Sequence, residues 1–581
     1  MRRRPTSSSA ARGATATAAP STAASAPLHS SGTYALPSFW ALFLPLLVVR
    51  LVAALTCPIA DCDETFNYFE PLHYLLHGSG LQTWEYSPQY GLRSYAYIAL
   101  HAPPALLAKL FTSSRPAQFY AVRCSLAAAS ALCEAFFARR VALAAGTPVA
   151  WLTWSLLTTS AGMYHAAVAF LPSSFAMLLL MNAWSAWIVG DFAIAIWCVA
   201  TSAILGWPFA AVVACGPLAL DAMAHIGPAR FVKHALCAAA ALIVPSAALD
   251  SWLYGRPILA FLNILLYNSS ASSGAGAQLY GVEPWHYYLQ NLALNFNAAL
   301  LAALAAPPLL VAQAVIERSS KGGGSDGAAL PPLRILLVLS GLYAWLLFFS
   351  AVPHKEERFM YPVYPLLCFG AAVAIRAIAR ALAHVCLPPA AGRSARTGLC
   401  GAAAALCALI SAMRATGQAT YYAAPLQLYS RLYHRATGTG GGAAVVCVGN
   451  EWYRYASSFF LPEGARLAFV RDGFDGQLPA HYSAPLPAGS RAIHAHFNDM
   501  NREEPSRYVP LPTCDWLVDL LPADGAPDEA ARRHLQKGFR SWQTVPFLDA
   551  PRSPAWSRAL YVPFVSDTRN AYVEYALMQR R

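Results

Sequence analysis

The chain has 581 residues, 57% of them hydrophobic and only 12% charged, whereas a soluble globular domain carries about a quarter charged residues. That balance, with a positive mean hydropathy, excludes an ordinary water-soluble fold and points to an integral membrane protein. The net charge of +12 would suggest nucleic acid in a soluble protein, but here the basic residues lie among apolar runs and at their ends, where they read as topology signals; no nucleic acid is expected.

In chain order, residues 1–36 are rich in Ser, Thr and Ala with Arg2, Arg3, Arg4 and Arg12 and no acid. They are similar in composition to an organelle transit peptide, and read as a disordered basic cytosolic tail. Apolar runs near the roughly 20 residues that cross a hydrocarbon core follow at about 38–56, 94–111, 118–137, 141–158, 162–186, 192–220, 232–252, 289–316, 334–352, 359–382 and 397–414. The reading is a mainly α, polytopic membrane protein with about eleven transmembrane helices, its membrane domain covering 37–414. Between Arg50 and Arg93 there is no Lys or Arg, while Asp61, Asp63, Glu64, Glu70 and Glu85 all fall there. Basic residues instead collect at 317–334 (Arg318, Lys321, Arg334) and 376–396 (Arg376, Arg380, Arg393, Arg396). The positive-inside rule puts these two on the cytosolic side and 57–92, 253–288, 353–358 and everything after about 415 on the opposite, luminal face.

After a linker over 415–444 with glycines at 438–442, "AVVCVGNEWYRYASSFF" reads as a buried strand, a turn and an amphipathic helix. "ARLAFV" and "CDWLVDLL" read as further buried strands, so 445–581 is expected to be a small luminal α/β domain. The glycines precede the strand, the wrong way round for a phosphate-binding loop, and read as a flexible joint. Most of the thirteen cysteines lie in apolar runs as small core residues; Cys447 and Cys514 could pair in an oxidising lumen. Asn268-Ser269-Ser270 is an N-glycosylation sequon on the expected luminal side.

Three constellations carry chemistry. The first acidic residue in the chain is Asp61, and Asp63 and Glu64 follow at once with no basic neighbour in sequence. Such a set is either a solvated acidic loop, or a general base or cation site, because carboxylates accept protons from sugar hydroxyls. In "VPHKEERFMYPVYPLL", His354, Lys355 and Arg358 surround Glu356 and Glu357. That turn is either an ion-paired helix end or an anion site, in which an Arg grips phosphate through parallel hydrogen bonds and a Lys acts as a point charge. The third is the aromatic loops: Glu283, Trp285, His286, Tyr287, Tyr288 and Asn295 in one, Glu85, Tyr86 and Arg93 in "WEYSPQYGLRSYAY". Their aromatics suit either sugar stacking or the interfacial belt of a membrane protein. An acidic loop and a phosphate-gripping turn on one face suggest transfer of a group from a phosphate to a hydroxyl.

The blocks "DCDETFNYFEP", "QTWEYSPQYGLRSYAY", "YGVEPWHYYLQN", "HKEERFMYPVYPLL", "VCVGNEWYRYASSFFLP" and "NREEPSRYVPLPTCDWLVDL" together resemble the dolichyl-phosphate-mannose-dependent α-1,2-mannosyltransferases that elongate lipid-linked oligosaccharide in the endoplasmic reticulum. The resemblance runs from about residue 38 to 560. It implies a C-type glycosyltransferase architecture in the endoplasmic reticulum membrane, with the active site luminal. It further implies an inverting transfer from dolichyl phosphate mannose to dolichyl-diphosphate-linked oligosaccharide, two mannoses being added at different stages of branch growth. Carried over, it puts the acidic motif on Asp63 and Glu64 as catalytic candidates. The donor phosphate falls to His354, Lys355 and Arg358, joined by Arg93; substrate contacts are expected from Asp61, Glu85, Tyr86, Glu283 and Trp285. No cofactor and no divalent metal are expected. The rivals are a glycolipid-anchor mannosyltransferase of the same family and, in another class, a transporter, whose charged groups should lie within helices near the midplane.

Overall fold

The structure, a computed structural model, describes residues 36–269, 279, 281–319, 330–386, 388, 392–437, 444–521 and 529–581. The basic tail, residues 320–329 with Lys321, the glycines of the expected joint at 438–442 and Ser270 of the sequon lie outside the described residues.

Seven helices among the described residues are long and apolar enough to span a bilayer: Phe39–Thr56, Arg115–Ala145, Pro228–Tyr254, Ala298–Ile316, Pro332–Ala351, Glu357–Cys386 and Ser394–Tyr421. Six coincide with expected runs, and Ala298–Ile316 is the part of the 289–316 run that follows a break at Asn297, φ 46°. The remaining four runs are also broken, and the breaks have local causes. The 94–111 run stops at His101, and Pro103 and Pro104 open a new ten-residue helix, Ala102–Phe111; ten residues rise only about 15 Å, half of a hydrocarbon core. Gly146, at φ 86°, starts Thr147–Thr159. The 162–186 run pauses before Pro172, and 192–220 passes through a π-helical turn, Ser202–Gly206, before Pro208.

Inside the bundle, Arg50 is not at a helix end as a topology signal would be. It is wholly buried, and its guanidinium donates to Glu134 (2.8 and 2.7 Å) and to the Leu157 carbonyl at 2.6 Å. Ser130 also donates to Glu134, at 2.7 Å. A charge in a membrane interior persists only when paired this way. The pair ties Phe39–Thr56, Arg115–Ala145 and Thr147–Thr159 together.

The membrane helix Gly392–Tyr421 (α1) runs through the first part of the expected linker, and Ala424–Thr437 (α2) occupies most of the rest. Helix α2 packs on the C-terminal sheet. That sheet comprises Val445–Val448 (β1), Arg466–Phe469 (β2), Trp516–Leu520 (β3), Phe539–Leu548 (β4) and Tyr572–Arg580 (β5). Its order is β2-β1-β3-β5-β4. The first three are parallel, and β3–β5 and β5–β4 are antiparallel. The strands expected around 445, 466 and 516 are there; the amphipathic helix after β1 is instead two short 3-10 turns, Asn450–Arg454 and Ser458–Phe460. Cys447 in β1 and Cys514 before β3 form a disulfide, S–S 1.97 Å.

Candidate active site

The acidic motif leaves the first membrane helix at Cys57 and enters a π-helical turn, Glu64–Phe69, which continues as the helix Glu70–His77. Wide π turns recur at functional sites because they redirect side chains relative to an α-helical path. Here Asp61 and Asp63 face outward together, whereas Glu64 is turned into the protein.

The C-terminal domain braces this helix. Thr65 donates to the carbonyls of Tyr455 and Ala456, both at 3.1 Å. The Glu70 carboxylate is fully buried and accepts four hydrogen bonds: from Leu81 N–H (3.0 Å), the Ser457 hydroxyl (3.0 Å), Ser458 N–H (2.6 Å) and the Ser458 hydroxyl (2.8 Å). The Phe66 ring stands 5.7 Å from Trp452.

Opposite the acids stands Arg358, on the 3-10 turn Glu357–Val363. Its guanidinium meets Asp61 Oδ2 at 3.0 Å and Asp63 Oδ2 at 2.7 Å, and pairs with Glu356 through Nε. Arg93 forks onto Glu85 (3.1 and 2.9 Å), donates to the Tyr68 hydroxyl at 2.8 Å and lies 3.8 Å from Asp63. His354 bridges Glu356 (2.9 Å) and the Gly281 carbonyl (3.1 Å). Asp61, Asp63, Glu85, Glu356, Arg93, Arg358 and His354 therefore form one partly buried network, in which carboxylates outnumber guanidiniums.

That imbalance separates the two aspartates. Burial, reinforced by Asp63 and Glu356 and opposed by Arg358, pushes Asp61 up to about 7. Burial acts the same way on Asp63, but Arg358 and Arg93 outweigh it and hold Asp63 below its ordinary value. Hydrogen bonding to Glu356 raises His354, and burial raises Glu85 against the pull of Arg93. The donor atoms of Asp61, Cys62 and Asp63 lie within 4.8 Å of one another and could take a cation, but Arg358 already places a positive charge on both carboxylates.

Beside the network a small cleft is lined by Tyr68, Arg93 and Tyr97 on its polar side, and by Ile204, Leu205, Trp207, Pro208, Phe261 and Ile264 on its apolar side. Arg93 joins cleft and acidic network.

The other sequence candidates fall elsewhere. Glu64 is buried and accepts Phe170 N–H at 3.0 Å. Tyr86 is wholly buried and donates to the Asn67 carbonyl at 2.9 Å. Lys355 is also buried, its ammonium capping the carbonyls of Glu283 (2.9 Å) and Val352 (2.5 Å), so it faces backbone instead of the cleft. The side chains of Glu283 and Trp285 are exposed. Asn268 is exposed and donates to the Ile264 carbonyl one turn earlier, at 2.8 Å. Tyr68, which accepts from Arg93, escaped the sequence reading although it sits inside a quoted motif block; Glu356 was read as an acid among the cations and in the fold pairs with Arg358 and His354. Glu357, next to Arg358, points away, to His165 (2.8 Å) and Asn295 (2.7 Å).

The fold matches that of ArnT from Cupriavidus metallidurans, solved bound to undecaprenyl phosphate. The TM-score is 0.55 at 12% identity, covering 87% of this chain and 95% of that one. Chain and ArnT thus share a polytopic membrane architecture of the C type. A match to the Alg9-like mannosyltransferase family covers residues 41–462. Alpha-1,2-mannosyltransferase ALG9 of Mus musculus is 40% identical over 93% of this chain and 88% of its own length. The Saccharomyces cerevisiae relative of the same name is 30% identical over 87% and 88%. GPI mannosyltransferase 3 of Candida albicans reaches 22% over 57% of this chain. The chain belongs to the Alg9-like mannosyltransferase family and is a glycosyltransferase, an α-1,2-mannosyltransferase.

Proposed function

We propose that this mannosyltransferase takes its sugar from dolichyl phosphate mannose and adds it, with inversion, to the 2-hydroxyl of a mannose on dolichyl-diphosphate-linked oligosaccharide, at the luminal face of the endoplasmic reticulum membrane. The reading is supported by the match to the Alg9-like mannosyltransferase family and by relatives named α-1,2-mannosyltransferases over most of their length; the glycolipid-anchor enzyme is a partial and more distant match. The observation that carries the mechanism is the aspartate pair bridged by Arg358, set against a cleft that is cationic at one wall and apolar at the other.

The acceptor oxygen attacks the anomeric carbon from the face opposite phosphate; the new C–O bond forms as the bond to the phosphate oxygen breaks. Dolichyl phosphate leaves with that electron pair, and the acceptor proton goes to the aspartate pair. A glycoside hydrolase needs a second carboxyl group to protonate its leaving oxygen, but a phosphate departs unprotonated when cations hold its charge. One basic centre therefore suffices. Asp63, ionised beside Arg358, contacts the acceptor hydroxyl, and Asp61, with the higher proton affinity, is the end station for the proton. Arg93 faces the donor phosphate from the cleft wall, with Arg358 behind it, and the apolar side of the cleft takes the first isoprene units. The cations needed are side chains of the chain itself, so the mechanism calls for no cofactor or divalent metal.

The test is a transfer assay on purified protein in detergent, using synthetic dolichyl phosphate mannose, lipid-linked oligosaccharides of graded branch length and a chelator arm. Product that loses its new mannose to a linkage-specific α-1,2-mannosidase supports the reading. Extension of glycolipid-anchor precursors alone would replace the acceptor, and dependence on added metal would remove the metal-free mechanism.

A further inference from the structure

Phe564 is 88% exposed, the largest exposure of any large hydrophobic side chain among the described residues. Its backbone sits at φ 65°, a left-handed conformation that a bulky L-residue adopts only when the chain around it enforces it. Val562 N–H donates to the Ser566 hydroxyl at 2.9 Å and Ser566 N–H returns to the Val562 carbonyl at 2.9 Å, closing a tight turn with Pro563, Phe564 and Val565 at its tip. Val565 is 40% exposed and Trp556, eight residues before Phe564, 51%. Glycine or asparagine would fit such a turn with less strain, and in water the phenyl ring gains nothing from this position.

The turn is fastened to a membrane helix. Tyr561 N–H donates to the Met413 carbonyl at 2.9 Å, the Arg414 guanidinium to the Ala559 carbonyl at 3.2 Å and the Tyr421 hydroxyl to the Ser557 carbonyl at 3.0 Å. From Thr397 to Met413, α1 has no charged residue, and Arg414 is the first. The loop is thus attached where the apolar stretch of a spanning helix ends, the level at which aromatic side chains concentrate in membrane proteins. Of the next most exposed large hydrophobic side chains, Val385 (81%) and Leu347 (75%) lie on spanning helices, and Phe111 (83%) and Leu110 (80%) end the short apolar helix Ala102–Phe111.

We propose that residues 556–566 form a membrane-contacting loop that seats Trp556, Phe564 and Val565 in the adjacent leaflet and holds the C-terminal domain against the bilayer. The occupant of this surface is lipid, because the loop continues the lipid-facing surface of α1. Since the same domain braces the helix that carries Asp61 and Asp63, the loop fixes that brace at a constant height above the membrane.

The experiment replaces Phe564 by photoreactive p-benzoylphenylalanine in the full chain in phospholipid nanodiscs, with exposed Arg502 replaced in the same way as control, and reads adducts by mass spectrometry. The expected result is phospholipid adducts at 564 about tenfold above those at 502, as interfacial insertion requires. Equal adducts at both positions, or adducts to another protein in microsomes where lipid adducts fail, would overturn the proposal. A nitroxide on Phe564→Cys in the same nanodiscs gives an independent reading. It should be more accessible to oxygen than to a water-soluble nickel chelate, and the reverse order would also overturn it.

Discussion

Asp61→Asn should make the protein more stable at pH 8 while removing most of its activity. Asp61 titrates near 7 against 3.8 in an unfolded chain, so between those values the folded state binds a proton that the unfolded state has released. Stability therefore falls as pH rises through that window. About three pH units correspond to roughly 4 kcal/mol. Asp61 keeps 24% of its side chain exposed, and solvent screening brings the expected penalty to about 2 kcal/mol at pH 8. An asparagine keeps the shape and carries no charge, so it escapes this cost. Thermal unfolding in detergent at pH 5 and pH 8 should show the variant gaining more on the wild type at pH 8, because pH 5 lies near the start of the window and carries only part of the penalty. The wild-type rate should rise with pH and level off above about 7, as the aspartate pair loses its proton. A variant that is less stable than wild type at pH 8, or a flat wild-type rate from pH 5 to 8, would refute the electrostatic argument.

Other consequences follow from single contacts. Glu70→Ala leaves the Leu81 and Ser458 amides and two serine hydroxyls without their acceptor; at about 1–3 kcal/mol for each group that water cannot reach, it should detach the C-terminal domain, visible as faster proteolysis between 437 and 466. Arg93→Ala should raise the KM for donor more than that for acceptor, because Arg93 lines the cleft, and equal effects would argue against the phosphate contact. Glu134→Gln strips the charge partner from buried Arg50 and should cost about 3–5 kcal/mol, measured as loss of monodisperse protein in gel filtration. Cys447→Ser opens a disulfide with a sequence separation of 67, and should lower the melting temperature of the C-terminal domain by an amount equivalent to about 4 kcal/mol in a chain-entropy account.

The acidic motif was legible because carboxylates are scarce in this chain, and Asp61 to Glu64 stand out against an uncharged background. Which of the three face the site was not, since adjacent residues differ only by the π turn that sends Glu64 to Phe170. The cationic turn was legible for a similar reason, but its charges were read as open to phosphate. In the fold Arg358 meets acids almost 300 positions earlier, and Lys355 caps backbone, pairings that no local pattern encodes. Six membrane helices could be read as uninterrupted apolar runs; four broken runs carry Pro or Gly punctuation inside equally apolar sequence and a fifth turns at Asn297, and hydropathy alone passes over these breaks. In the C-terminal domain the buried parallel strands announced themselves as short apolar runs. Strands β4 and β5 did not, because "FRSWQTVPFL" and "YVEYALMQR" mix polar and apolar residues on an edge and its neighbour.

The most direct test of the account is turnover of purified Asp63→Asn beside Glu64→Gln, with synthetic dolichyl phosphate mannose and a lipid-linked acceptor. Asp63→Asn should lose about 10²–10⁴-fold, the usual worth of a positioned base, and Glu64→Gln, remote from the network, should keep turnover within an order of magnitude of wild type. Near-wild-type turnover of Asp63→Asn, or loss confined to Glu64→Gln, would contradict it.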